Sequence, residues 1–146
     1  MKKALFILTI SLLLFSIKTH AQFKLELIKI KCLVSEESSD DETYISVGNK
    51  YKVWHYNQRH SGDTGTGDLE NQDVRTLTHL APFKFNCQTI IKISEGDGGG
   101  SADDLLGKIT ISVPKSYFQK LGKVQSKEFK NGSWWYRIDY RVSLDD

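Results

Sequence analysis

Residues 124–144 read VQSKEFKNGSWWYRIDYRVSL. The pair Asn131-Gly132 is the one favoured at the centre of a tight hairpin turn, because both positions tolerate a positive φ. Beyond it Tyr136, Ile138, Tyr140, Val142 and Leu144 alternate with Arg137, Asp139, Arg141 and Ser143. A period of two puts the first set on one face and the second on the other. A lone hairpin cannot bury its apolar face, so this one requires a partner layer.

The chain upstream supplies that layer in the same pattern. In residues 23–34, FKLELIKIKCLV, the apolar phase runs Phe23, Leu25, Leu27 and then slips to Ile28, Ile30, Cys32, Val34. A slip of one residue predicts a β-bulge or a strand that changes sheet. TYISV, Gly48-Asn49 and KYKVWH predict a second hairpin. A polar stretch, 57–73, separates it from a weaker strand at 74–80. Residues 83–94 alternate as one strand, and 105–113 form another that Pro114 ends. SYFQKLGK has room for one helical turn, and no longer window after residue 21 has helical periodicity. The expected fold is all-β, an antiparallel β-sandwich of seven or eight strands in a single domain, residues 22–146.

The start of the chain is different. Lys2 and Lys3 precede the apolar run ALFILTISLLLFSI and the small-residue site ending at Ala21. That layout predicts a secretory signal peptide, residues 1–21, and a secreted or periplasmic protein. The run is shorter than the roughly 20 apolar residues of a spanning helix, so the mature form is expected to have no transmembrane segment. Residues 22–146 carry 17 basic and 18 acidic side chains, a formal −1. So small a net charge speaks against nucleic acid as a partner. In an oxidising compartment Cys32 and Cys87 are candidates for a disulfide, with two buried thiols as the alternative.

The even sum hides an uneven distribution. Residues 36–42, EESSDDE, include Glu36, Asp40, Asp41 and Glu42. Residues 95–104, EGDGGGSADD, include Glu95, Asp97, Asp103 and Asp104. Both segments directly follow strands, and together they hold nine of the 18 acids. Two unit charges 4 Å apart cost about 4 kcal/mol at an effective dielectric near 20. A hard cation relieves such repulsion, and calcium takes about 6–8 oxygen ligands from carboxylates, carbonyls and water. Taken singly, each segment also reads as a solvated acidic turn.

The second segment runs IKISEGD, a glycine-rich spacer and DDLLG. It resembles the third calcium-binding loop of the C2 domain family, with Glu95, Asp97 and Asp104 at the acidic positions and Leu105, Leu106 and Gly107 after them. The first resembles that family's first calcium loop, in which an acid lies two residues before a strand-opening Tyr. Here Glu42 precedes Tyr44, with Glu36 upstream and Asp40 or Asp41 able to substitute. The resemblance covers about residues 23–113. Glu stands for Asp at Glu95, Glu36 and Glu42, Thr43 replaces a frequent Pro, and the second loop is one residue longer than usual. The resemblance implies an eight-stranded sandwich that holds calcium between loops at one end, without enzymatic activity. It further implies docking on a lipid headgroup through calcium, while calcium as a structural clamp, or as a bridge to an acid of a protein or glycan, suits these loops at least as well. The tips Ser38, Ser39, Gly98, Gly99, Gly100, Ser101 and Ala102 offer no large apolar wedge for insertion into a bilayer.

EGDGGGSADD lacks the alternating acids of an EF-hand loop. GDTGTGD has no following Lys-Ser/Thr, so Asp63 and Asp68 read as turn residues or as part of a further loop at the ion-binding end. The histidines lack metal spacing, and no nucleophile elbow is present. Trp54 with Trp134 or Trp135 could form a platform for sugar rings, independent of calcium, although core packing suits such residues better. A small inhibitor or immunity-type protein using 57–73 as its contact loop is the remaining alternative.

Overall fold

A computed structural model of the chain describes residues 22–35, 42–56, 63–64, 71–96, 104–130 and 132–145. The signal peptide expected at 1–21 lies outside these residues. The described residues form nine strands: β1 Phe23–Val34, β2 Thr43–Val47, β3 Lys50–His55, β4 Val74–Thr76, β5 Phe83–Phe85, β6 Gln88–Glu95, β7 Asp104–Ser112, β8 Val124–Lys130 and β9 Trp135–Leu144. One 3-10 helix, Lys115–Lys120, joins β7 to β8. The strands form two antiparallel sheets. One has the order β4-β1-β9-β8, with β5 also on β1, and the other the order β3-β2-β6-β7. The expected all-β sandwich is therefore found. Among the described residues no helix is long and apolar enough to cross a membrane.

The phase slip in β1 is a register shift between Leu27 and Lys29 against β9. It lets Leu25 and Leu27 below it and Ile30 and Cys32 above it all enter the core. The bulge also explains why the strand expected at 74–80 stops at Thr76. Pairing of β4 with β1 ends at Lys29, and Leu77 N–H turns to the carbonyl of Ile28 instead. The single strand expected at 83–94 is two. Phe83–Phe85 pairs with β1, and Gln88–Glu95 lies in the other sheet. Both sheets show their inner face to one core, so the alternation of Phe83, Phe85, Thr89, Ile91 and Ile93 runs on through the crossing. The final hairpin pairs Lys130 with Trp135, so its loop is longer than the two-residue turn read from Asn131-Gly132.

No disulfide joins Cys32 and Cys87, which corrects the expected bond. Phe23 pairs with Phe85, so Cys87 lies beyond the lower end of β1, whereas Cys32 lies nine residues higher on that strand. At about 3.3 Å per residue the separation is about 30 Å, against roughly 4.4–6.8 Å between the Cα atoms of a bonded pair.

One inner-face rung of the second sheet runs Trp54, Ile45, Ile93, Gly107. At its far end a Cβ on Gly107 would overlap the Phe129 ring, which comes from β8 of the other sheet and is buried. The glycine of DDLLG is thus a notch for an aromatic ring. Gly107→Ala is expected to destabilise the fold by about 2 kcal/mol through overpacking. In a Phe129→Leu background urea denaturation should show most of that cost gone.

Tyr117 of the 3-10 helix lies beside Tyr140. Burial and the neighbouring Tyr117 hold its phenol up at about 12, against an ordinary value of 10.0. Between those values the unfolded chain ionises and the folded chain does not. The stabilisation from the neutral phenol is therefore complete below about pH 10 and lost as pH rises through about 12. An absorbance titration should show one late phenolate that Tyr140→Phe removes, and the variant's stability should fall less over that interval.

Candidate functional site

Four connections emerge at one end of the sandwich. Tyr44 lies opposite both Ser94 and His55, and β1 lies against Val74 through Lys31. Segment 35–42, segment 56–73, segment 96–103 and the β8–β9 loop therefore leave from the same end. The Asp63 carboxylate accepts the Thr76 N–H and so ties segment 56–73 to the strand that follows it. The ends of segment 57–73 thus lie at the acidic end, while most of the segment, Asp68 included, lies outside the described residues.

The first acidic segment is fastened at both ends. Before it, Ser35 N–H donates to Asn71 Oδ1 at 2.6 Å, and Gln72 Nε2 donates to the Leu33 carbonyl at 3.0 Å. After it, Gly96 N–H donates to the Glu42 carbonyl at 3.2 Å. The two acid-bearing segments and segment 57–73 are thus tied together at their bases. On the last inner-face rung of the second sheet, Thr43 pairs with Glu95 and Glu95 with Asp104. Directly opposed residues of an antiparallel pair share a face, so three oxygen-bearing side chains end the apolar core there. Thr43 is fully buried, and among the described residues its hydroxyl oxygen has no hydrogen-bond partner. An unsatisfied buried hydroxyl is costly, and it marks a place suited to a ligand that accepts oxygen donors.

Of the acids expected in the site, Glu42, Glu95 and Asp104 are brought to this end. Glu36, Asp40, Asp41, Asp97 and Asp103 lie outside the described residues. Among the described residues no group of three His, Cys, Asp or Glu side chains converges closely enough to hold a metal ion. The tryptophans divide. Trp54 is fully buried and Trp134 nearly so, which removes them as an exposed sugar platform. Trp135 is half-buried, its indole N–H on Glu128 at 3.2 Å.

Sequence reasoning missed the support beneath segment 57–73. Arg75 pairs with Ile30, and so sits on the inner face with no exposed surface. Its guanidinium reaches the Asp73 carboxylate at 3.4 Å and donates to the Thr64 carbonyl, while Thr64 and Val74 exchange two further hydrogen bonds. An inward Arg in the short run VRT was the available signal, but its counterion comes from outside the strand.

The two outer faces differ in charge. On the first sheet Arg141 meets Glu26 at 2.8 Å, and Asp139 meets Lys29 at 3.5 Å and Arg137 at 3.4 Å. On the second sheet Lys92 lies directly opposite Lys108, an unfavourable pairing. Lys50 and Lys52 stand on the edge strand, and among the described residues none of these four lysines has a carboxylate within ion-pair distance. A bulge in β3 sets three residues against Ser46 alone, with Lys52 in left-handed backbone at φ 45°. Its ammonium lies 4.4 Å from the Tyr44 ring and 5.3 Å from the Tyr51 ring. The resulting groove, of about 380 Å³, is lined by Tyr44, Ser46, Lys50, Tyr51, Lys92 and Leu105, among others.

No family model matches the chain. No curated protein matches its sequence. Among solved structures it is similar to a C2 domain, at 15% identity and a TM-score of 0.48, over 87% of this chain and 100% of that one. It is also similar to part of human GIVD cytosolic phospholipase A2, at 14% identity and a TM-score of 0.47, over 86% of this chain but 18% of the phospholipase. A third is the Drosophila C2-DSL-EGF1 structure, at 12% identity and a TM-score of 0.41, over 86% of this chain and 68% of that one. At such values the likeness is one of sandwich outline.

Proposed function

We propose that residues 22–146 form an exported, non-enzymatic binding module that takes calcium at its loop end and uses it to dock on an acidic partner. The observation that carries the reading is the fastening of segment 35–42 to both neighbouring loop bases. It gathers, on adjacent strands, the bases of segments that hold nine acids. Glu42, Glu95 and Asp104, with the loop acids Glu36, Asp40, Asp41, Asp97 and Asp103, would hold the ion. The oxygen-bearing rung and the unsatisfied Thr43 hydroxyl fit a hard cation. Bound calcium would cancel the repulsion among the acids and leave a coordination position for an anionic group of a protein, glycan or lipid headgroup. The lysines of the second sheet's outer face favour a partner of that charge. The apolar run and small-residue site at 1–21 support export.

Calcium bound only to the folded chain stabilises it by mass action. At a hundred times its dissociation constant it should contribute about 2.7 kcal/mol, or about 10 °C of midpoint. Glu95→Gln with Asp104→Asn should remove most of that rise. A midpoint that responds equally to magnesium, or a rise unchanged in the double variant, would dismiss the site.

A further inference from the structure

A second recessed surface lies beside the loop end, on the outer face of the first sheet. It is a cleft of about 310 Å³ lined by Val34, Lys130, Gly132, Trp134 and Trp135. A register shift between Cys32 and Val34 sets Val34 opposite Trp135, leaving the valine 41% exposed beside the indole. Bulges that redirect one side chain are frequent beside binding sites. The Trp135 ring is held in place by Glu128, which accepts its N–H at 3.2 Å. Glu128 is thereby committed to the indole rather than to Lys130, its neighbour on the same strand face. The Lys130 ammonium stands over the Trp135 ring, 4.6 Å from its centre, and has no carboxylate within ion-pair distance among the described residues.

We propose that this cleft binds a carboxylated sugar ring. A flat indole flanked by an aliphatic side chain offers a floor for the C–H face of a pyranose. The ammonium that covers the indole in the free protein, once moved to the edge of that floor, matches a carboxylate on the same ring. A purely apolar ligand would leave Lys130 without use, and a simple anion would leave the indole and Val34 without use. The cleft is of a size for one or two rings rather than a long chain. The indole is held in advance by Glu128, and Lys130 leaves the ring face to the sugar, exchanging a cation–π contact for a charge-assisted hydrogen bond. The site requires no calcium and stands apart from the loop-end reading.

The test is a tryptophan-fluorescence titration of residues 22–146, which contain every described element, in excess chelator. Glucuronate oligosaccharides, neutral glucose oligosaccharides and polyglutamate serve as probes. Saturable binding of the glucuronate probe is expected, with the neutral sugar at least about tenfold weaker. Lys130→Gln should weaken the acidic sugar by at least about tenfold and leave the neutral one unaffected. Trp135→Phe, which keeps a ring on the floor, should weaken both while circular dichroism reports an unchanged fold. Equal binding of the neutral sugar, equal binding of polyglutamate, indifference to Lys130→Gln, or no saturable signal would each overturn the proposal.

Discussion

Asp73→Ala is expected to cost about 3–5 kcal/mol, a large fraction of the stability of a domain this size. Arg75 is fully buried on the inner face of the first sheet, and Asp73 stands 3.4 Å from its guanidinium. Loss of that carboxylate leaves a cation in the interior facing carbonyl dipoles such as that of Thr64. Arg75→Met in the Asp73→Ala background should restore most of the loss, because the charge that needed compensation is gone. Urea denaturation of the single and double variants measures both effects. A single-variant loss below about 1 kcal/mol would show that the pair acts as a surface ion pair does. The same change should loosen segment 57–73, since Thr64 is held between Arg75 and Val74.

Trp54→Ala is expected to cost a similar amount, about 3–5 kcal/mol. Trp54 is fully buried and begins the rung that Ile45 and Ile93 continue and Gly107 ends. The rung is widest at the β3 edge and empty at the β7 edge, where the Phe129 ring fills the gap. Truncation at Trp54 opens a large cavity at the buried start of that rung. Thermal denaturation should show a much lower midpoint, while Trp54→Phe should keep most of the stability. If Trp54→Ala instead abolished glycan binding and left the midpoint unchanged, Trp54 would be a surface ligand contact after all.

Much of the fold is legible in residue order because the signals are local. The slip at Leu27–Ile28 is the β1 bulge, and TYISV with KYKVWH around Gly48-Asn49 is the β2–β3 hairpin. The acidic segments start from one end because each directly follows an upward strand in an antiparallel sandwich. What escaped the sequence depends on which sheet a strand joins. Alternation in 83–94 is the same whether the chain stays in one sheet or crosses at Cys87, since both sheets face one core. The distance between Cys32 and Cys87 likewise follows from pairing register, which cysteine spacing does not encode. Arg75 breaks the inside-apolar rule, and only the fold brings its counterion and Thr64 against it.

Calcium at the loop end is the central claim, and isothermal titration of calcium into residues 22–146 tests it most directly. The expected result is saturable binding that magnesium does not reproduce and that Glu95→Gln with Asp104→Asn removes or weakens by at least about tenfold. No saturable heat at millimolar calcium, or equal binding by the double variant, would contradict it.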